Sequence, residues 1–564
     1  MEWMSLPDDK LKNLVLKSRL VTSKLMEEAV SQAVTTARPL EDTLVEKGMV
    51  TDEQLGTLIA KYYQVPFINL AKLTIPESVF YLIPERMARK FKIIAFARDS
   101  SGLKIAAYDP TQKEILGFLA KKTRTKVIPH YATALDVVTV LRAYEKDLQK
   151  TVDSLLKEEV WSPKTLLEDP PVAKIVDLLI DTAYQARASD IHIEPGENDS
   201  LARFRIDGLL QDALHVPKFL HDRIVTRIKV LSNLRTDEHL APQDGKMRVA
   251  LEEETIDIRV SIIPVVAGEK AVLRLLSTRT RELSFADLGM NEADLKKVAA
   301  AYSKSYGMIL STGPTGSGKT TSIYSVLKIL NTREKNITTV EDPVEYQIKG
   351  ANQIQVNPKA NLTFATGLRS ILRQDPNIIF VGEIRDADTA GIAVNAALTG
   401  HLVLSTLHTN DAATAIPRLS DMKVEPFLVA STVSVIIAQR LVRRICNQCK
   451  QSHSITLVEL VKNFPEAEVR QIIGSAKTLT IYTGRGCKAC RFTGYAGRVG
   501  LFEVLEVNNN IRKLITQKSD SDVIAGTARQ QGMKTMLEDG LDKIKHGVTT
   551  VEEVLRVTKA EFLS

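Results

Sequence analysis

The chain has 564 residues, 44% of them hydrophobic and 25% charged, which excludes both a single-core protein and a disordered or fibrous one. Its 75 basic and 68 acidic residues leave a formal net charge of +7, too small an imbalance for a chain built around a polyanion. No secretory leader is legible and no apolar run reaches the ~20 residues of a membrane span, so a cytoplasmic protein with at most peripheral membrane contact is expected.

Residues 1–145 are read as the first domain. It opens with a weak repeat at an offset of 30, "LVLKSRLVTSKL" (14–25) and "LVEKGMVTDEQL" (44–55). Each copy predicts a helix, a turn at Ser18 or Gly48, a capping residue at Thr22 or Thr51, and a second helix. From "VPFINL" (65–70) through "KIIAFARDSSGLKIAAYDP" (92–110) and "KVIPHYA" (126–132) the pattern turns to short strands, so a small α/β part comes next. A charged helical stretch covers 134–160, and "WSPKTLLEDPP" (161–171) has the prolines of a linker, placed at 146–168.

The second domain is placed at 169–285. Apolar residues at 172, 175, 176, 179 and 183 predict an amphipathic helix, after which "DIHIEP", "LARFRID", "TIDIRVSII" and "AVLRLLS" alternate as in a half-buried antiparallel sheet. That alternation puts Arg203, Arg205 and Asp207 on one face. From 286 to 564, strand-like runs at 306–312, 337–341, 376–383 and 401–407 alternate with helical ones, which predicts a mostly parallel, doubly wound α/β domain.

The chemistry is concentrated at the ends of those strands. "GPTGSGKT" (313–320) fits the phosphate-loop pattern and has the required strand before it and helix after it. The predicted ATP-binding residues are Gly313, Pro314, Thr315, Gly316, Ser317, Gly318, Lys319, Thr320 and Thr321. The glycines let backbone N–H groups wrap a phosphate, Lys319 reaches the β- and γ-phosphates, and Thr320 holds Mg²⁺. The next strand ends in "TTVEDPVEY", where Glu341 is placed to orient or deprotonate the attacking water. "NIIFVGEIRD" delivers Glu383; Gly382 stands where many such motors have an aspartate, so Mg²⁺ is expected on Thr320, waters and Glu383. "HLVLSTLHTNDA" delivers His408, suited to sensing the γ-phosphate. Together these predict nucleoside triphosphate hydrolysis.

The four cysteines form two C-x-x-C pairs, Cys446 with Cys449 and Cys487 with Cys490. With no spare cysteine, this predicts a structural tetrathiolate Zn²⁺ site in an insertion at about 440–500. The neighbouring basic stretch "QRLVRRICNQCK" reads either as a solvated face or as a membrane- or partner-facing one.

From about 165 onward the motifs "ASDIHIEP", "RFRIDG", "GPTGSGKTT", "VEDPVEY", "LRSILRQDPN", "GEIRD", "TGHLVLSTLHTN" and the paired C-x-x-C resemble, in order, the secretion ATPases of type II secretion and type IV pilus assembly, most of all the pilus extension motors. The resemblance implies a RecA-like P-loop motor domain preceded by an α+β, PAS-like domain, assembled as a homohexamer. It implies ATP between the two lobes, phosphate contacts from Arg259, Arg274, Arg369 and Arg373, and Glu341 and Glu383 as catalytic carboxylates. Its implied partners are an inner-membrane platform protein and a cytoplasmic adaptor. The N-terminal repeat resembles the cyclic-di-GMP-binding modules of some of these motors, but Leu11, Glu41 and Ser18 stand where glycines are expected, which argues against nucleotide there and for docking to an adaptor. The alternatives are a type II secretion motor, a nucleic-acid translocase and an ATP-clamped structural protein. Aromatics at 5% and the lack of a basic cluster around 313–408 weigh against the translocase.

Overall fold

Thr51 accepts the backbone N–H of Gln54 at 3.2 Å while the Gln54 side chain caps the Thr51 N–H at 2.9 Å, and this box starts the helix Asp52–Tyr63. Similar local signals set the rest of the computed structural model. It describes residues 6–558 apart from 19, 37–39, 47–48, 71–72, 74, 142–147, 161–170, 252–253, 277–284, 475 and 488–489. The predicted turn at Gly48 and residues 161–170 of the predicted linker thus lie outside the described residues. The chain divides into two compact units, 1–185 and 186–564.

In the first unit the repeat forms helices Asp8–Lys17, Ser23–Thr36, Leu40–Glu46 and Asp52–Tyr63. Their buried faces, including Leu11, Met26, Leu44 and Ile59, belong to one core with a three-stranded sheet of β1 (Ile93–Asp99), β2 (Gly102–Ala107) and β3 (Val127–Tyr131). "VPFINL" is not a strand: Phe67 makes a single bridge to Tyr131, beside Pro66, whose nitrogen has no hydrogen to extend the ladder. The amphipathic helix Val172–Gln185 closes this unit.

The second unit contains two large sheets. The first is antiparallel throughout, made of β4 (Asp190–Pro195), β5 (Asp199–Ile206), β6 (Leu209–Pro217), β7 (Gln243–Ala250), β8 (Thr255–Val265) and β9 (Gly268–Leu276), in the order β6-β5-β4-β9-β8-β7. Arg203 and Arg205 lie opposite His192 and Asp190 across the β4–β5 ladder. Asp207 leaves their face, because the chain turns there with φ +50°. Its carboxylate instead accepts the backbone N–H of Gly497 at 2.9 Å.

The other sheet comprises β10 (Gly307–Thr312), β11 (Ile337–Glu341), β12 (Ala351–Gln355), β13 (Ile378–Val381), β14 (Leu402–Leu407), β15 (Val433–Ile445) and, after the hairpin β16 (Lys450–Thr456) and β17 (Thr478–Gly484), β18 (Tyr495–Glu506). Its order is β12-β11-β13-β14-β10-β15-β18, with only β18 antiparallel to its neighbour. Helices cover both faces. Val340, Ile379 and Val381 point into one core, while Ile337, Ile378 and Phe380 point into the other with Ile323 and Leu327 of the helix Lys319–Leu330. The doubly wound reading holds, and it places the C-terminal ends of β10, β11, β13 and β14 side by side.

Candidate nucleotide site and cysteine cluster

The loop after β10 turns on glycines at positive φ, Gly313 at +145°, Gly316 at +78° and Gly318 at +90°. Two of them also allow close packing on β15. A Cβ at Gly313 would lie 2.5 Å from the Gln439 carbonyl oxygen, and one at Gly318 would lie 2.6 Å from the Gln439 side-chain nitrogen. Gln439 is fully buried; its Nε2 donates to the Ser317 carbonyl at 2.7 Å and its Oε1 accepts from the Ser322 hydroxyl at 2.6 Å. The loop is therefore tied to the sheet by a side chain that no motif singles out.

Lys319, the first residue of the next helix, folds back on the loop, donating to the carbonyls of Gly313 at 2.8 Å and Pro314 at 3.1 Å. Burial pushes its ammonium down to about 8, against the opposing pull of Glu383. A lysine resting on loop carbonyls at a helix N-terminus is suited to exchanging those partners for phosphate oxygens.

Glu383 comes just after β13 and sits between two cationic or potentially cationic groups: Arg385 Nη2 lies 2.6 Å from one carboxylate oxygen and His408 Nε2 lies 3.1 Å from the other. His408 reaches it from the segment after β14, where the Thr409 N–H donates to Thr312 Oγ1 at 3.0 Å and so fixes that segment to the end of β10. Glu383 and His408 are thus brought together next to the strand that leads into the glycine loop. Gly382 has a steric reason: a Cβ there would lie 3.3 Å from the Glu341 Cα on the adjacent strand. Arg385 is absent from the site residues expected from the sequence, although it stands two residues after Glu383 in "GEIRD".

Glu341 ends the strand beside the one that leads to Glu383, and its carboxylate has its own set of partners. It is 2% exposed, and three donors hold it: the Tyr324 hydroxyl at 2.5 Å on one oxygen, and Thr339 Oγ1 at 2.7 Å and Gln353 Nε2 at 3.1 Å on the other. Burial pushes its carboxyl up, while the three hydrogen bonds oppose the rise.

The four arginines are engaged elsewhere than at the loop. Arg259 donates to the Val344 carbonyl at 2.6 Å and lies 3.6 Å from Glu345, and Arg274, its neighbour across the β8–β9 ladder, binds Asp190 at 2.8 Å. Arg369 grips both oxygens of Asp388 at 2.6 and 2.8 Å, and Arg373 donates to the Arg369 carbonyl at 3.1 Å. Arg259 and Glu345 join the antiparallel sheet to the segment just beyond Glu341.

The cysteines converge where β15 ends and β18 begins. Cys446 lies 3.9 Å from Cys487, and Cys490 lies 3.8 Å from both Cys449 and Cys487, sulfur to sulfur; all four sulfurs lie within 4.8 Å of one another. A tetrahedron with Zn–S bonds of about 2.3 Å has edges of about 3.8 Å, so the donor set and its dimensions fit Zn²⁺. The backbone N–H groups of Cys487 and Gly494 point at the Cys490 sulfur at 3.1 and 3.2 Å, as suits a thiolate. The long gap between the pairs is filled by the β16–β17 hairpin and two short helices.

Known proteins are similar in sequence and in fold. The family described as "Type II/IV secretion system protein" matches residues 165–556, and the "MshEN domain" matches 63–150. The second match covers the small α/β part and the helical stretch after it, beyond the repeat that carries the resemblance to cyclic-di-GMP modules. The type IV pilus assembly ATPase PilB of Myxococcus xanthus is 35% identical over 97% of this chain and 98% of its own length. PilB of Thermus thermophilus is 41% identical over 92% of this chain, which spans only 59% of that longer relative. The type II secretion system protein E of Dickeya dadantii is 45% identical over 74% of this chain and 83% of its own. The ATPase DotB of Legionella pneumophila, 21% identical, shares the fold over 69% of this chain and 96% of its own, with a TM-score of 0.50. Among the described residues no helix is long and apolar enough to cross a membrane.

Proposed function

Because the chain belongs to the family of type II/IV secretion system proteins, we propose that it is a hexameric ATPase motor that drives type IV pilus assembly through an inner-membrane platform protein. The observation that carries the reading is the glycine loop with Lys319 folded onto its carbonyls, set at the edge of a doubly wound sheet where neighbouring strands deliver the Glu383–His408 pair. In this reading Lys319 releases the Gly313 and Pro314 carbonyls and binds the β- and γ-phosphate oxygens. Glu341 takes the proton of the attacking water as its oxygen bonds to the γ-phosphorus and the bond to the bridging oxygen breaks. His408 contacts the γ-phosphate, and Arg259, Arg274, Arg369 and Arg373 supply charge when the cleft between lobes closes. Thr320 and Glu383 would hold Mg²⁺, which neutralises triphosphate charge. Cys446, Cys449, Cys487 and Cys490 would hold Zn²⁺, which supplies structure and no open coordination position.

Pilus assembly is preferred to type II secretion because the likeness to a pilus ATPase runs the length of both chains, N-terminal unit included. In the proposal that unit docks to a cytoplasmic adaptor at the inner membrane and does not take cyclic-di-GMP; saturable binding of a fluorescent cyclic-di-GMP to the full chain would overturn this part.

The central test is phosphate release by the purified full chain. Glu383→Gln is expected to lose turnover at least a hundredfold with the protein still hexameric, and capture of a pilus platform protein is expected in preference to a type II one. A Glu383→Gln protein with unchanged turnover, or strong stimulation by DNA or RNA, would overturn the motor reading.

A further inference from the structure

The carboxylate of Glu341 is seated by three donors from three different segments, and one of them, Tyr324, belongs to the helix that begins with Lys319. Tyr324 is 2% exposed and held on its own terms. Its ring meets Tyr346 edge-on at 4.5 Å and Phe380 at 6.0 Å, so the hydroxyl has a fixed aim rather than a free rotor. Gln353 completes the seat: its Nε2 donates to Glu341, to the Tyr346 carbonyl at 3.1 Å, and lies 3.5 Å from the Tyr324 hydroxyl. A buried phenol could pack equally well without its oxygen. Here the oxygen is placed 2.5 Å from Glu341 Oε2, while Thr339 and Gln353 both hold the other carboxylate oxygen.

The same helix is bound to the glycine loop. Lys319 opens it, Ser322 ties it to Gln439 beneath the loop, and Tyr324 ends the series at Glu341. Any displacement of this helix would carry the donor of Glu341 with it.

We propose that Tyr324 is a positioning residue for the hydrolytic reaction: its hydroxyl sets the rotamer of Glu341 and links it to occupancy of the phosphate loop. The inference rests on the proposed function, in which Glu341 handles the attacking water. In this proposal Tyr324 acts through the carboxylate to which it donates.

The test is a double-mutant cycle in the full-length protein, with turnover followed by labelled phosphate release and ATP affinity by a fluorescent nucleotide. Tyr324→Phe keeps the ring contacts and removes the hydroxyl. It is expected to lower kcat at least tenfold while KM and nucleotide affinity stay within twofold. In a Glu341→Gln background the same substitution is expected to have less than a twofold effect. Thr339→Val, which removes a donor from the other oxygen, is expected to give a kcat loss of the same kind and keeps the test open should Tyr324→Phe fold poorly. Unchanged kcat in Tyr324→Phe, or an equal loss with and without Glu341, would overturn the proposal. Wild-type turnover by Glu341→Gln alone would instead remove the premise about Glu341, and the two failures are told apart by that single variant.

Discussion

Replacing Gln439 by methionine keeps the side-chain volume and deletes both hydrogen bonds beneath the phosphate loop. The Ser317 carbonyl and the Ser322 hydroxyl would then be left without the Gln439 amide, which now meets them at 2.7 and 2.6 Å in a fully buried position. Each orphaned neutral group costs about 1–3 kcal/mol, so the change costs about 2–6 kcal/mol if nothing moves. Something will move, and the loop is the weaker side: Thr315 and Gly316 are exposed, whereas β15 is buried on both faces through Gln439. Relaxation of the loop converts the cost into lost nucleotide affinity, at tenfold per about 1.4 kcal/mol. The expected result is an ATP KM at least tenfold above wild type, together with a thermal midpoint lower by several degrees, measured by phosphate release and by scanning fluorimetry. A Gln439→Met protein with KM within twofold of wild type and an unchanged midpoint would refute the tether.

Three further outcomes are expected from the same geometry. Burial holds Lys319 at about 8, below its usual range, so between about 8 and the usual value near 10.4 the folded state has shed a proton that the unfolded state keeps. That contribution to stability therefore grows as pH rises through the window, and phosphate arriving at pH 8.5 should recharge the lysine. Calorimetric ATP binding is accordingly expected to take up several times more protons at pH 8.5 than at pH 7, shown by the dependence of the heat on buffer ionisation. His408→Ala removes one of two groups flanking Glu383 and is expected to reduce kcat about tenfold or more, with KM changed less than threefold; a turnover equal to wild type would contradict it. Cys449→Ser is expected to lower bound zinc from one equivalent per chain to a small fraction by atomic absorption, and to make β16–β17 hydrogen exchange faster while leaving the phosphate loop protected.

Much of this site is legible from local strings because its requirements are local. A loop that must adopt positive φ announces itself as Gly313, Gly316 and Gly318, and thiols at C-x-x-C spacing announce a shared ligand whatever lies between the pairs. The positions of Lys319, Glu383 and His408 emerge once strand ends are recognised, since parallel strands deliver their C-terminal residues to one edge. What stays hidden is long-range or lacks a period. Gln439 meets Ser322 across 117 residues, and no pattern near either predicts the contact. The strand that carries it, Val433–Ile445, is buried on both faces at its start, so the alternation that marks β8 is absent, and the uncharged run 426–438 covers a short helix and half of this strand. Asp207 shows the limit of alternation: it keeps its place in the period but turns away because the backbone turns.

β15 also runs well past the phosphate loop. At a rise of about 3.3 Å per residue, Cys446 stands roughly 23 Å along the chain from Gln439, and the intervening strand is stiffened by its ladder with β18. The strand carries the floor of the glycine loop partway along it and the thiol cluster at its tip. The ladder shifts register between Arg443 and Ile445, so the connection is regular next to the loop and interrupted just before the thiols, and each end can be perturbed with the other left in place.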